Sequence, residues 1–433
     1  MKKHIKLFVL LGILLVGSFS FYLFKGFKKD NMVYKDNKIK PSSSGISMMF
    51  ETEAGSGNYE MTTQSEWPTE GYVFNANLSK CENGSELSWD NENKKVLMSG
   101  NKSDKCYVYF DVYVKPQVLL ADYVKSLYTG TQGENGIYYH DANLTNGAGD
   151  NSYRYSGASD QVNNYVCFGS TQSPCSADNL YRIIGVFGDK VKLIKSDYAT
   201  TALLGADGDY SKMYTANNWN NSSYKGNNLA NVAAYTWNYK NNTSINSGRG
   251  SNTWSTSLLN KTNLNKNFIK NIGADWAAKI ADTTWKVGGN KWANIGIQPA
   301  KTAYQNEIVS PVTTNTTDNA TDYNAKVGLM YVSDYMYAAP QDKWTLVGYN
   351  SSDASKDYRA ATSVNWMYMG LLEWTLSRRA DYASFVFNVY NSGNFDNIIA
   401  KNALAVRPVF YLTSSVNYVS GSGTAADPIL VNL

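Results

Sequence analysis

Apolar residues in this chain come mostly in short runs closed by Gly, Asn, Ser or Asp, and only a few repeat at helical spacing. Leu180–Phe187 (LYRIIGVF) and Val191–Tyr198 (VKLIKSDY) flank Gly188, Asp189 and Lys190. Flanks rich in β-branched and aromatic residues around a short glycine-containing loop predict a β-hairpin. Glu373–Leu412 holds three more such runs: Trp374–Ser377, Ser384–Tyr390 and Ala405–Leu412. The first two read as antiparallel neighbours. Asn391, Ser392, Gly393 and Asn394 form a turn after the second. The third contains Arg407-Pro408. Proline has no N–H for a sheet ladder, so this run belongs at an edge or a bulge.

Helical spacing stands out in two places. Val118–Tyr128 has apolar residues at 120, 124, 127 and 128, one face of a short helix. Thr253–Ile272 repeats Leu258, Leu259, Phe268, Ile269 and Ile272, with Gly273 as a C-cap. Residues 48–115 form a separate pattern, with strand runs at 71–74, 86–89, 95–98 and 106–110 and a turn at Asp90–Asn93. Lys326–Val332 reads as a buried strand. Ser333 and Asp334 after it read as the cap of a short helix through Ala339.

At the N-terminus, Lys2, Lys3 and Lys6 precede an uncharged run from Leu7 to Phe24, and Lys25, Lys28 and Lys29 follow it. Such a run, as a helix, spans about 27 Å, enough for a bilayer core. Its bulky continuation (Phe19, Phe21, Tyr22, Phe24) favours a retained signal anchor over a cleaved signal peptide, which is the competing reading. The expected order is a cytoplasmic tail (1–6), a transmembrane anchor (7–24), a polar linker (25–47), a small β module (48–115) and a larger α+β domain (118–433). Most of the chain is then extracellular, or secreted if the N-terminus is cleaved.

Composition supports this picture. Of 433 residues, 43% are hydrophobic and 18% charged, which suits a folded core. The formal charge of +4 is misleading. Residues 1–40 hold nine Lys and two Asp, which leaves 31 basic against 34 acidic residues, or −3, in the rest. That part has no basic footprint, which argues against nucleic-acid binding. The four cysteines, 81, 106, 167 and 175, fall into two local pairs. In an exported chain the natural pairs are Cys81–Cys106 and Cys167–Cys175, with four free thiols as the alternative. No C-x-x-C occurs and the histidines are His4 and His140, so a zinc site is not expected.

The catalytic inventory is thin. A triad would rest on His140 alone, which reads better as a structural histidine. Glycoside hydrolysis needs two placed carboxylates. Beyond residue 115 the only glutamates are Glu134, Glu307 and Glu373, and the aspartates sit in turn-like sequence. Asp207-Gly208-Asp209 lacks the calcium-loop spacing and reads as a turn. Aromatics remain. Trp219, Trp237, Trp254, Trp344, Trp366 and Tyr368 lie in or near loop-like sequence. Exposed, they would stack on a ligand; buried, they fill an aromatic-rich core. Trp344, Trp366 and Tyr368 are the candidate ligand contacts, and no catalytic, metal or cofactor residues are expected.

Two stretches carry resemblances. Residues 51–111, around CENGSELSWDNENKKVLMSGNKSDKCYVYFD, are similar to a segment of uncharacterised membrane-anchored surface proteins of Firmicutes. Residues 119–433, through NLYRIIGVFGDKVKLIKSDYA, KVGLMYVSDYMYAA, WTLSRRADYASFVFNVYNSGN, AVRPVFYL and GSGTAADPILV, resemble a domain of unknown function in such proteins. That domain has a Trp-Leu-Arg-Ser-type strand followed by a Gly-Val-Arg-Pro-Ala strand. Trp374–Arg378 and Val406–Val409 match these. Its pattern is distantly similar to the C-type-lectin-like fold, shared with formylglycine-generating enzymes. No cysteine lies beyond 175, so the cysteine chemistry of those enzymes is not implied. The resemblance implies a stable scaffold with variable loops. The expected role is non-catalytic binding or adhesion at the cell surface, toward a glycan or protein. The alternatives are an extracellular carbohydrate-active hydrolase and a passive envelope protein.

Overall fold

Strands dominate, as the short β-branched runs require, with short helices between them. The computed structural model describes residues 45–62, 66–114, 116–214, 223–239, 248–291, 298–313 and 320–433. The expected tail (1–6), the anchor (7–24) and all of the linker up to residue 44 lie outside the described residues, as does Trp219. Among the described residues no helix is long and apolar enough to cross a membrane. The chain forms two compact units, which divide between Pro116 and Gln117.

In the first unit a four-stranded sheet has the order Tyr59–Met61, Ile46–Glu51, Cys106–Val112, Tyr72–Cys81. Glu86–Asp90 and Lys95–Ser99 form a separate hairpin. Asp90 Oδ1 closes its turn by accepting from the Glu92 and Asn93 N–H groups. Cys81 stands opposite Cys106 in the ladder, and the two are bonded. Met48, Val96, Val108 and Phe110 make the core. Phe74 and Trp89 pack against Phe110. The strand at Ile46 begins inside the stretch expected to be linker. It is held because it pairs, in parallel, with Cys106–Val112.

The second unit is built on two seven-stranded sheets. The 180–198 hairpin forms the middle of the first, as Leu180–Phe187 paired with Lys190–Lys195. Its ladder shifts between Ile183 and Gly185. A Cβ at Gly185 would run into the Tyr153 carbonyl, so glycine permits the next strand, Tyr153–Tyr155, to pair there. The second sheet is centred on Glu373–Arg379, antiparallel to Phe385–Val389. Phe395–Ile399 then adds an unexpected strand beyond the turn.

The run with Arg407-Pro408 is two strands, not one. Ala403–Ala405 pairs in the second sheet, whereas Val409–Tyr411 pairs in the first. The proline marks the point where the chain changes sheets. A third, three-stranded sheet joins Val118–Leu119 to Asn417–Ser420 and Leu430–Val431, so the two ends of the unit meet.

The Leu120–Ser126 helix buries Leu120, Ala121 and Val124. The expected helix over 253–272 is a short 3-10 turn at Trp254–Thr256, a π-helix at Leu259–Phe268 and a last α-turn before Gly273, whose φ of 87° ends it. Among the described residues seven tryptophans (237, 254, 276, 285, 344, 366, 374) are buried in one continuous core. Cys167 and Cys175 are bonded and pin the loop before the hairpin.

Candidate functional site

The three aromatics expected to touch a ligand are core residues. Trp344 is 0% exposed and donates its indole N–H to the Ala339 carbonyl at 2.6 Å. Trp366 is 1% exposed, donates to the Tyr155 carbonyl at 2.9 Å, and carries the Arg182 guanidinium over its ring. Tyr368 is 7% exposed and donates its hydroxyl to the Asn391 carbonyl. Their polar atoms are engaged inside the domain, so they hold the loops in place rather than present a stacking face. His140 is likewise internal. Its Nδ1 accepts from the Ala148 N–H, and its ring packs against Tyr337 and Trp344. Asp209 accepts from the Leu258 and Leu259 N–H groups and so tethers a helix start. Among the described residues no group of three or more His, Cys, Asp or Glu could hold a metal ion.

The same loops do build a cleft. It measures about 380 Å³ and is lined by Tyr349, Arg359, Tyr390, Ser392, Asn394, Phe395 and Asp396. Its floor is the tight turn after Phe385–Val389. There Tyr390 N–H donates to the Asn394 carbonyl and Gly393 N–H to the Tyr390 carbonyl. Gly393 has a φ of 91°, and a Cβ there would strike Thr362, so the turn needs glycine on both counts.

Arg359, another lining residue, is positioned by the buried Asp357. Its carboxylate caps the short Tyr358–Ala361 helix through Arg359 N–H and grips the Arg359 guanidinium, with Nη2 to Oδ2 at 2.7 Å. That guanidinium stacks 5.1 Å from the Tyr349 ring centroid. Arg359 is held more firmly protonated than usual, first by its bond to Asp357. Burial pushes the Asp396 carboxyl above the ordinary range. The cleft therefore offers two phenol rings and a desolvated carboxyl, on a backbone braced by the Ser392 hydroxyl, which donates to Asn394 Oδ1 at 2.6 Å, and by the Asn394 amide, which donates to the Phe395 carbonyl.

A second cleft, about 400 Å³, has Phe187, Trp285, Tyr331 and Tyr411 in its walls. The same four rings surround the buried ammonium of Lys192, with centroids 4.8–5.8 Å from Nζ. Lys192 meets Asp334 Oδ2 at 2.6 Å, both side chains being 1% exposed. Glu307 lies in the same polar core. It accepts from Ser333 N–H at 3.1 Å and from the Ser377 hydroxyl. Burial, opposed by the bonds from Ser333 and Ser377, raises its carboxyl to about 7. A third cleft, about 740 Å³, is lined by Asp209, Tyr239 and Lys401 among others.

Sequence reasoning pointed to the loops that wall the first cleft but chose their inward-facing aromatics. Nothing local distinguishes Tyr349 from Trp344, because which of them faces out depends on sheets formed elsewhere. The polar core was missed for a similar reason. Lys192, Glu307 and Asp334 come from three distant segments and match no spacing motif. Comparison with family models, curated proteins and solved structures gives no match.

Proposed function

We propose that this chain is a membrane-anchored, non-catalytic surface protein whose second unit binds a glycan in the Tyr349–Tyr390 cleft. The cleft itself carries the reading. Aromatic rings with phenol hydroxyls beside a carboxyl suit the apolar faces and hydroxyl edges of a sugar. A cleft of about 380 Å³ is also a better fit to a few sugar rings than to a protein, which needs a broader patch. The hydrolase alternative calls for two facing carboxylates. Among the described lining residues only Asp396 is acidic.

Export is supported by the two disulfides, which persist in oxidising compartments. Anchoring rests on the uncharged run 7–24. The resemblance to Firmicutes surface domains and to a C-type-lectin-like scaffold is part of the proposal. It is supported by terminal strands that share one sheet and by long loops carried on a two-sheet core.

A glycan array probed with the purified extracellular part, residues 41–433, tests the reading. Binding that Tyr390→Ala and Tyr349→Ala each weaken about tenfold is expected. A blank array, or binding that both variants leave unchanged, sinks it. Release of a shortened sugar product would favour the hydrolase, and a blank on glycans and matrix proteins alike would favour a passive envelope role.

A further inference from the structure

We propose that Lys192 and Asp334 are joined in the mature protein by an amide bond between Nζ and Cγ, formed autocatalytically within the folded domain. Three observations point there. The first is proximity in a dry place. Nζ and Oδ2 are 2.6 Å apart, on side chains 1% exposed, and the residues are 142 positions apart in sequence. The fold alone brings this amine to this carboxyl, an arrangement equivalent to a very high local concentration.

The second is incomplete satisfaction. Asp334 Oδ2 accepts from Lys192 and from the Tyr331 N–H, whereas Asp334 Oδ1 is buried with no hydrogen-bond partner. Among the described residues the ammonium has Asp334 as its only hydrogen-bond acceptor, and its other N–H groups face aromatic rings. A buried ion pair with so few supporting bonds is poorly compensated for desolvation. Burial accordingly lowers the Lys192 pKa, although Asp334 opposes this, and so favours the neutral, nucleophilic amine.

The third is a proton carrier. Glu307 is fully buried, holds the Ser333 N–H next to Asp334, and lies close enough to act electrostatically on both Lys192 and Asp334.

The step balances without any co-reactant. The ammonium gives one proton to Glu307, which passes it to Oδ1 of Asp334, and the freed lone pair on Nζ attacks Cγ of the neutral acid. The nitrogen of the tetrahedral adduct loses a second proton, which Glu307 carries to Oδ1. The Cγ–Oδ1 bond breaks, and Oδ1 leaves with both protons as one water. Nothing is oxidised or reduced, and Glu307 returns to its starting state. Oδ1 is the unpartnered oxygen, while Oδ2 remains as the amide carbonyl on the Tyr331 N–H. The product replaces two buried charges by one neutral amide. It also ties the Lys190–Lys195 strand to the Val332–Tyr337 helix.

Peptide mapping of the purified full-length protein, reduced and digested after denaturation, decides the matter. The expected result is a branched peptide joining Lys192 to Asp334, one water lighter than its two arms together. It should vanish in Lys192→Met and Asp334→Ala, and form at least tenfold more slowly in Glu307→Gln. Recovery of Lys192 and Asp334 only in separate, full-mass peptides of the wild type overturns the proposal. So does a water loss that persists in Lys192→Met.

Discussion

Two ion pairs lie in the core of the second unit, equally buried and differently built. Arg407 meets Glu373 through two parallel bonds of 2.7 and 2.8 Å, and Nη2 also donates to the Met367 carbonyl. Lys192 meets Asp334 through a single bond and leaves Oδ1 without a partner. A guanidinium fork matches a carboxylate and has donors left for backbone, whereas an ammonium is a point charge that needs a ring of acceptors. The first pair is a finished clamp at the place where the chain passes from one sheet to the other. The second is under-bonded beside a carboxyl held near neutrality. Equal burial thus serves stability in one place and leaves room for chemistry in the other.

The sharpest way to break the clamp is Arg407→Met. It leaves Glu373, already raised in pKa by burial, without its cation, and should cost about 3–5 kcal/mol in urea unfolding. A loss below about 1 kcal/mol would show that the pair is not the clamp described.

Glu307 should give the next largest effect. Its folded value, about 7, lies above the ordinary 4.5, so the native state binds the extra proton. Stability from this group is fully present below about 4.5 and falls as pH rises toward 7, by on the order of 3 kcal/mol. Glu307→Gln should flatten that slope, and an unchanged slope would remove the carboxyl from the polar core.

His140 works in the other direction. Burial, helped by Arg154, holds its pKa well below 6.5, so the unfolded chain takes up the proton first. The wild type should lose up to about 1.4 kcal/mol per pH unit below that value relative to His140→Gln. Parallel curves would refute it.

The smallest effect on stability belongs to the open cleft. Tyr349→Ala should change unfolding by no more than about 1 kcal/mol while it weakens sugar binding, because Tyr349, unlike Tyr390, does not pack against the main core. A large loss of stability would mark Tyr349 as a packing residue like Trp344.

Much of the scaffold could be read locally. The 180–198 hairpin, the strand pair around Glu373 and Phe385, the short helix after Val118 and both cysteine pairs follow from short-range pattern. Phe395–Ile399 was missed because FDNII is too polar to look like a strand, and only its partner Phe385–Val389 makes it one. Ala403–Tyr411 looked continuous because its two halves are equally apolar, and their different sheets are a long-range fact.

The sequence by itself determined the strand-rich α+β character and the turns, because these depend on residues within a few positions of each other, and it pointed to the cysteine pairs through their grouping along the chain. Tertiary structure alone decided which aromatics face inward, that Tyr349 and Tyr390 line one cleft, and that Lys192 lies against Asp334. Those outcomes depend on how two sheets pack, and packing brings together residues whose separation along the chain carries no signal.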